Sequence, residues 1–321
     1  MFTRRAALAL PALLTTPAWA WTPDRPLRLI IPFTPGGTND IIGRLVADGM
    51  AQRLGQSIVI ENRGGAGGAI GADIVAKAPA DGHTLLLGGS GSLVITSFVH
   101  RRLAYDPVRD FAPIGLMGSG ANVIVVNPAL PVQNLRELQA HARRANPPLN
   151  FASPGVGSTG HAAGALLAQA MDVEMTHIPY RGTGPVLTDL VAGRVQVFTN
   201  ALAPMQPQVN AGTVRALAVA GRTRLAALPD LPTTIEAGFP SVQAATWFSL
   251  FATGGTPPDR LRALHAALNA TMADAEVRRR ITDGGVDVET SETPEAFWQF
   301  YLAERARWGE VIRRGNIQAD G

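Results

Sequence analysis

Phe33-Thr34-Pro35-Gly36-Gly37-Thr38-Asn39-Asp40 stands between an apolar run, Leu27-Arg28-Leu29-Ile30-Ile31-Pro32-Phe33, and a helical pattern. In that pattern Ile41, Ile42, Leu45, Val46, Met50 and Leu54 recur at the spacing of one helix face. The eight residues therefore read as a turn from strand to helix. Glycine lets backbone come close to whatever sits there, and Thr38 or Asn39 is the expected N-cap. The free N–H groups of a helix start carry partial positive charge and attract anions. A second stretch echoes the first: Ser153-Pro154-Gly155-Val156-Gly157-Ser158-Thr159-Gly160 follows Leu149-Asn150-Phe151-Ala152 and precedes a helix expected over 161–171. The two turns read as jaws able to hold one small anion.

Outward from these jaws the chain alternates strand and helix, which means a parallel sheet with helices on its faces. Ligands in such sheets sit beyond the carboxyl ends of strands, where the loops 34–40, 62–68 and 88–92, with Ser90, are expected. Phe111 to Asn127 reads as a boundary: two apolar runs, Phe111 to Met117 and Val123 to Val126, are broken by Gly118-Ser119-Gly120. A second set of units follows. Asn134 with Glu137 three residues on resembles a capping box for a helix over 135–146. Strands are expected at 149–152, 174–178, 195–199 and 214–220, and a helix at 185–192. Trp247 to Ala252 reads as a strand returning to the first half. The last helix starts at Thr293-Pro294-Glu295, and Phe297, Phe300, Tyr301, Trp308 and Ile312 give it a core-facing stripe.

The length, 321 residues, allows two domains, and 17% charged against 46% apolar residues suits a globular protein with a full core. Arg4-Arg5, the apolar Ala6 to Leu14 and Ala18-Trp19-Ala20 have the order of a secretory signal peptide, expected to span 1–20. Removing Arg4 and Arg5 from the 28 basic residues leaves 26 against 25 acidic ones. A net charge of +1 makes no case for nucleic acid. With no cysteine, disulfides, thiolate metal sites and a lipidated N-terminal cysteine are excluded. The expected location is the periplasm, with the signal peptide removed.

The chemistry-bearing residues admit more than one reading. Gly155-Val156-Gly157-Ser158-Thr159-Gly160 matches the dinucleotide pattern G-x-G-x-x-G. However, Glu174, about 20 residues on, starts its strand where the pattern wants an acid at the strand's end. No lysine follows a Gly-rich loop, no G-x-S-x-G is present, and the six histidines show no metal spacing. Asp40 reads as a first-turn dipole partner or an acceptor for a ligand hydroxyl or amine. Arg181 offers a planar fork for a carboxylate; Tyr180 offers a ring and a hydroxyl, and Asn200 can both donate and accept. His161 follows the second jaw and either faces the ligand or is satisfied locally.

At these residues the sequence resembles the Bug receptors, the periplasmic substrate-binding proteins of tripartite tricarboxylate transporters, from Pro23 to about Ile317. The resemblance rests on Pro32-Phe33-x-Pro35-Gly36-Gly37-x-x-Asp40, Glu61-Asn62-Arg63-x-Gly65-Ala66-Gly67-Gly68 and Ala80-Asp81-Gly82-His83-Thr84. It continues through Asp106-Pro107-Val108-Arg109-Asp110-Phe111, Ala152-Ser153-x-Gly155-x-Gly157-Ser158, Pro179-Tyr180-Arg181-Gly182 and Arg215-Ala216-Leu217-Ala218-Val219. It implies a two-lobed α/β fold of the type II periplasmic-binding-protein class, each lobe a mixed sheet flanked by helices, with the ligand cleft between. Lobe one would be 21–120 with 246–321, lobe two 121–245, hinged near 118–122 and 243–247. The turns matching 34–40 and 153–158 would hold a ligand carboxylate through backbone N–H groups and ordered water. Phe33, Pro35, Gly36, Gly37, Thr38, Asn39, Asp40 and Ser90 would serve it from one side. Ser153, Gly155, Gly157, Ser158, His161, Tyr180, Arg181 and Asn200 would serve it from the other. The chain departs from the family pattern at Thr34, Thr38, Asn39 and Gly64, and at Gln196 and Asn200, where aspartates are expected. The resulting expectation is a monomeric receptor, not an enzyme, needing no cofactor or metal. It takes a small organic carboxylate and meets membrane transporter subunits. A sensor partner of a signalling system and an enzyme using Gly155–Gly160 for a nucleotide are the alternatives.

Overall fold

The computed structural model describes residues 21–318; the expected signal peptide lies outside the described residues. β1 (Leu27–Ile31) is buried at every position but Arg28, as befits a strand inside a parallel sheet covered on both faces. It feeds α1 (Thr38–Leu54), which stops at Gly55 in the left-handed conformation, φ 67°. β2 (Ile58–Asn62), a tight 3₁₀ turn over Ala66–Gly68, α2 (Ala69–Ala76) and β3 (Thr84–Gly89) follow. A π-helical turn, Ser90–Ile95, then runs into the single turn α3 (Thr96–Val99). Next come β4 (Phe111–Val126), α4 (Leu135–Ala142), β5 (Leu149–Ser153), α5 (Thr159–Met171) and β6 (Met175–Pro179). α6 (Thr183–Val191), β7 (Val197–Ala201), α7 (Gln206–Asn210), β8 (Arg215–Ala220) and β9 (Ala245–Thr253) continue the chain. α8 (Pro258–Met272), α9 (Ala275–Asp283) and α10 (Pro294–Arg314) end it.

The strands form two mixed sheets that share β4, giving the two-lobed α/β architecture. Phe111–Ala121 of β4 pairs antiparallel with β9, which passes to β3, β1 and β2, the last three parallel. Asn122–Val126 pairs antiparallel with β7 and β8, and β7 leads to β5 and β6 in parallel. One continuous strand thus carries the chain from one lobe into the other. The return runs beside it: Asn122 N–H donates to Ala244 and Ala244 N–H to Ala220.

Three expectations change. Gly118-Ser119-Gly120 does not interrupt β4. These residues stay in the strand while Ser119 exchanges hydrogen bonds with Asp287, 3.0 and 2.8 Å. A Cβ on Gly118 would strike the Asp287 carbonyl, and one on Gly120 the Gly285 carbonyl, so the glycines admit a crossing segment. Gly88 and Gly89 likewise belong to β3, pressed against the Phe251 ring and the Trp247 carbonyl. α4 ends at Ala142, not 146: the last i→i−4 bond is Arg143 N–H to Gln139, after which Arg144 and Ala145 bond three residues back. The capping box at its start is present, Asn134 accepting from Glu137 N–H at 2.9 Å. The stripe on α10 is core: Phe297, Tyr301 and Trp308 are fully buried. Phe297 and Tyr301 lie edge-on to Trp247 of β9, with centroids 6.3 and 6.2 Å apart. Such pairs contribute about 0.5–1.5 kcal/mol beyond area burial.

Gly118 has φ 152°, so Gly118→Ala adds both a rarely adopted backbone conformation and a clash with backbone. It should destabilise the fold by about 1–3 kcal/mol, read as a lower urea midpoint at unchanged slope. A wild-type midpoint would show that the crossing segment yields freely.

Candidate functional site

The 33–40 turn is built around a carboxylate. Asp40 is 5% exposed, and its oxygens accept from Gly36 N–H at 3.0 Å, from Arg44 Nε and Nη2 at 3.1 and 3.0 Å, and from Asn62 Nδ2 at 3.0 Å. Burial pushes this carboxyl up, but the bonds from Arg44, Gly36 and Asn62 outweigh it and hold Asp40 below its ordinary range. Asn62 also donates to the Phe33 carbonyl, 3.1 Å. The N-cap of α1 is Gly37, with no side-chain cap; Asp40 reaches back past it to Gly36 instead. The first N–H groups of α1 are left without intrahelical partners.

The 153–160 turn is held from behind. Ser153 Oγ donates to the Gly155 carbonyl and accepts from Gly155 N–H, 3.1 and 3.2 Å. Ser153 Oγ also meets His177 Nε2 at 2.7 Å. The His177 ring stacks on His161, centroids 4.1 Å apart, and His161 Nδ1 accepts from Gly157 N–H at 3.3 Å. Ser158 caps α5 by accepting from His161 N–H, 3.2 Å. These contacts fix the turn so that the start of α5 faces the start of α1.

Between the lobes lies a cleft of about 480 Å³, counting the open solvent at its mouth. The first lobe lines it with Phe33, Gly37, Thr38, Asn39, Ser92 and Phe248, and with backbone at Gly89 and Gly91. The second contributes Pro154, Ser158, Thr159, Gly160, Thr183, Asn200 and Ala201, with Thr246 on the crossing strand β9. None of these side chains is charged. The first residues of α1, α5 and α6 all reach it. Thr38, 4% exposed, has a buried hydroxyl with no partner among the described residues. Thr183 Oγ1 accepts from Asn200 Nδ2 at 3.0 Å.

The lobes touch around the cavity. Ser90 and Thr159 hydroxyls are 3.2 Å apart. Thr96 Oγ1 lies 3.2 Å from both the Gly67 and Gly157 carbonyls. His100 Nε2 is 3.4 Å from the Val156 carbonyl. A Cβ on Gly67 would strike that same carbonyl, and one on Gly182 the Thr34 hydroxyl.

Of the residues expected to serve a ligand, Phe33, Gly37, Thr38, Asn39, Ser158 and Asn200 line the cavity; the others do not. Pro35 and Gly36 are outside it, and a Cβ on Gly36 would meet nothing. Asp40, Ser153, Gly155, Gly157 and His161 form the scaffolds just described, and Ser90 the seam. Gly157 is pressed on Thr96 rather than on the cavity. Tyr180 Oη donates to Asp189 Oδ2 at 2.6 Å, and burial together with that bond pushes its pKa up to about 12. Arg181 is exposed, with no hydrogen bond among the described residues. Sequence reasoning passed over Thr183, and it quoted Thr159 and Gly160 only as part of the second jaw without naming them as ligand residues. Thr183, between Gly182 and Pro185, carries the signal of a helix start, glycine before and proline in the first turn.

This arrangement defines the class. Two mixed sheets linked by crossing strands around an interlobe cleft form the periplasmic-binding-protein fold, and solved structures of that class superpose closely. The periplasmic binding protein BugD gives a TM-score of 0.89 at 31% identity over 93% of this chain and 100% of that one. A Rhodopseudomonas palustris protein solved with adipate gives 0.88 at 35% identity, covering 92% and 99%. MatC from the same organism, with bound malate, gives 0.86 at 35%, covering 90% and 99%. A family model described as the tripartite tricarboxylate transporter family receptor matches residues 42–317. The chain belongs to that family of solute-binding receptors, and the Bug resemblance holds.

Asp40 gives the site a pH signature. Its folded pKa is depressed, so its contribution is present above about pH 4, the ordinary carboxylate range, and fades as pH falls through the folded pKa. Asp40→Asn should cost about 1–2 kcal/mol at pH 7, with Arg44's share discounted because its side chain is 53% exposed. The gap between variant and wild type should close below about pH 4 in urea titrations. An equal gap at pH 3 and pH 7 would mean that the carboxylate charge does not hold the turn.

Proposed function

We propose that this chain is a periplasmic receptor that captures a small organic carboxylate between its lobes and passes it to the membrane subunits of a tripartite tricarboxylate-type transporter. The observation that carries the reading is the cavity itself. The uncapped start of α1 and the start of α5 meet there with hydroxyl groups and no side-chain charge. Such a site favours an anion through backbone donors, while a cation would find no counter-charge. Charge-assisted hydrogen bonds contribute about 1.5–3 kcal/mol each. Three or four are consistent with micromolar affinity, about −8 kcal/mol, after the costs of ordering and closure. The adipate and malate in the two Rhodopseudomonas palustris structures support the same ligand class. Export to the periplasm, with residues 1–20 removed, is part of the proposal.

The lobes are proposed as 21–120 with 246–321 and 121–245, turning about 118–122 and 243–247. The seam contacts then belong to the closed state, which ligand favours by bridging both lobes. Gly67 does not line the cavity, so Gly67→Ala tests closure, with the melting temperature of the unliganded variant checked because its φ is 62° and the new Cβ would also meet Thr96 Oγ1. Ligand affinity should fall more than tenfold, and the ligand-induced decrease in radius by small-angle scattering should disappear. Wild-type binding by this variant would show that the lobes need not meet there.

Thermal-shift screening of the purified protein against organic acids tests the ligand class, because binding to the folded state raises the melting temperature. Adipate or malate should stabilise it and their diamides should not. Stabilisation by nucleotides with none by carboxylates would overturn the receptor reading.

A further inference from the structure

We propose that Thr96 and His100 form a closure latch: they hold the second jaw across the seam, touch no ligand, and set how long the closed cleft keeps its ligand. The inference rests on the closing, carboxylate-binding receptor proposed above and adds the residues that govern release.

Both residues belong to the outer end of one helical segment. Its π-helical turn brings the Ser90 hydroxyl to 3.2 Å from the Thr159 hydroxyl. Thr96, fully buried, places Oγ1 3.2 Å from the Gly157 carbonyl. Just past α3, His100 Nε2 stands 3.4 Å from the Val156 carbonyl. All three partners lie in the second lobe, and two are consecutive carbonyls of the 153–160 turn. Neither Thr96 nor His100 lines the cavity. The segment is held from behind by its own lobe. Arg305 of α10 donates to the Leu93 carbonyl at 3.3 Å and to Ser97 Oγ at 2.8 Å. Its guanidinium also lies over the Phe98 ring, 5.1 Å from the centroid. A pull on the second jaw is therefore resisted by a long helix.

The chemistry suits bonds that form on closing. In an open cleft the Val156 and Gly157 carbonyls face water; at the closed seam they need protein donors. Leaving such a group buried and unpaired costs more than pairing it gains. Thr96 and His100 are the donors. A threonine hydroxyl has one proton, and the Gly67 carbonyl of the same lobe also stands 3.2 Å away. Gly67 occupies the hydroxyl while the lobes are apart, and closing offers the proton to Gly157. The donor is stranded in neither state. The approach needs glycine on both sides, since a Cβ on Gly67 or Gly157 would come 2.8 or 2.7 Å from Thr96 Oγ1. A ligand enters before these bonds form and leaves only after they break, so the latch acts on dissociation.

Rapid-mixing kinetics on the whole mature chain, with adipate and malate as probes, tests the latch. Thr96→Val, nearly isosteric, should raise koff about three- to tenfold and change kon less than about twofold. Thr96→Ser keeps the hydroxyl and should return koff to within about twofold of wild type. His100→Ala should raise koff about two- to threefold, in line with its longer contact. The melting temperature of each unliganded variant verifies its fold, and His100→Ala carries the test if Thr96→Val fails to fold. Wild-type koff in the folded variant that carries the test would overturn the latch while leaving the carboxylate reading intact. A loss confined to kon, or no rescue by serine, would do the same. If the wild type binds neither probe, both proposals fall together.

Discussion

The proposed recognition depends on the backbone N–H groups of the first residues of α1, α5 and α6, which have no carbonyl four residues back to bond. Three helices begin at one cavity, and the side chains around that cavity carry no charge. In an open cleft such donors are hydrated; in a closed one a ligand or an ordered water has to satisfy them. The acidic and phenolic side chains near the turns serve elsewhere. Asp40 is spent on holding Gly36 and Asn62, and Tyr180 is spent on Asp189. Charge shapes the first jaw, and the cavity itself offers only neutral donors. A pocket built this way would hold an anion without a buried lysine or arginine, whose own desolvation would have to be offset.

The second constraint is the shared strand. β4 runs through both sheets, and the return strand β9 pairs with it up to Ala245, so the lobes are joined where hydrogen bonding is continuous. Movement between them has to bend strands rather than slide surfaces. The glycines at the seam set how closely the lobes approach. Gly67 and Gly157 are small because Val156 and Thr96 stand against them, a packing requirement across the cleft rather than a chemical one.

Much of the fold was legible because strand and helix periods alternate cleanly, and because the two jaw turns carry glycines next to helix starts. The π-helical turn at Ser90–Ile95 was not, since nothing in a run of small residues distinguishes a widened turn from a loop. Gly118 and Gly120 misled in the opposite direction. Glycine marks a break by propensity, but here it marks the close approach of 285–287, a contact from far along the chain that no local pattern encodes. The site was legible in place and less so in detail. Thr38, Ser158 and Asn200 were found by position at strand and helix ends, whereas Asp40, His161 and Tyr180 drew attention as chemistry-bearing side chains and turned inward to support. Thr183 was missed because a threonine after a glycine in a loop carries no chemical signal until its partner Asn200, 17 residues on, is folded against it.

The central claim is that a ligand carboxylate is held by helix-start N–H groups from both lobes. A high-resolution crystal structure of the mature protein with adipate or malate tests it most directly. The account predicts carboxylate oxygens within hydrogen-bonding distance, directly or through one water, of backbone N–H groups at 37–39 and 159–160. A carboxylate paired instead with Arg181 or another side-chain cation, or a ligand resting outside this cleft, would contradict it.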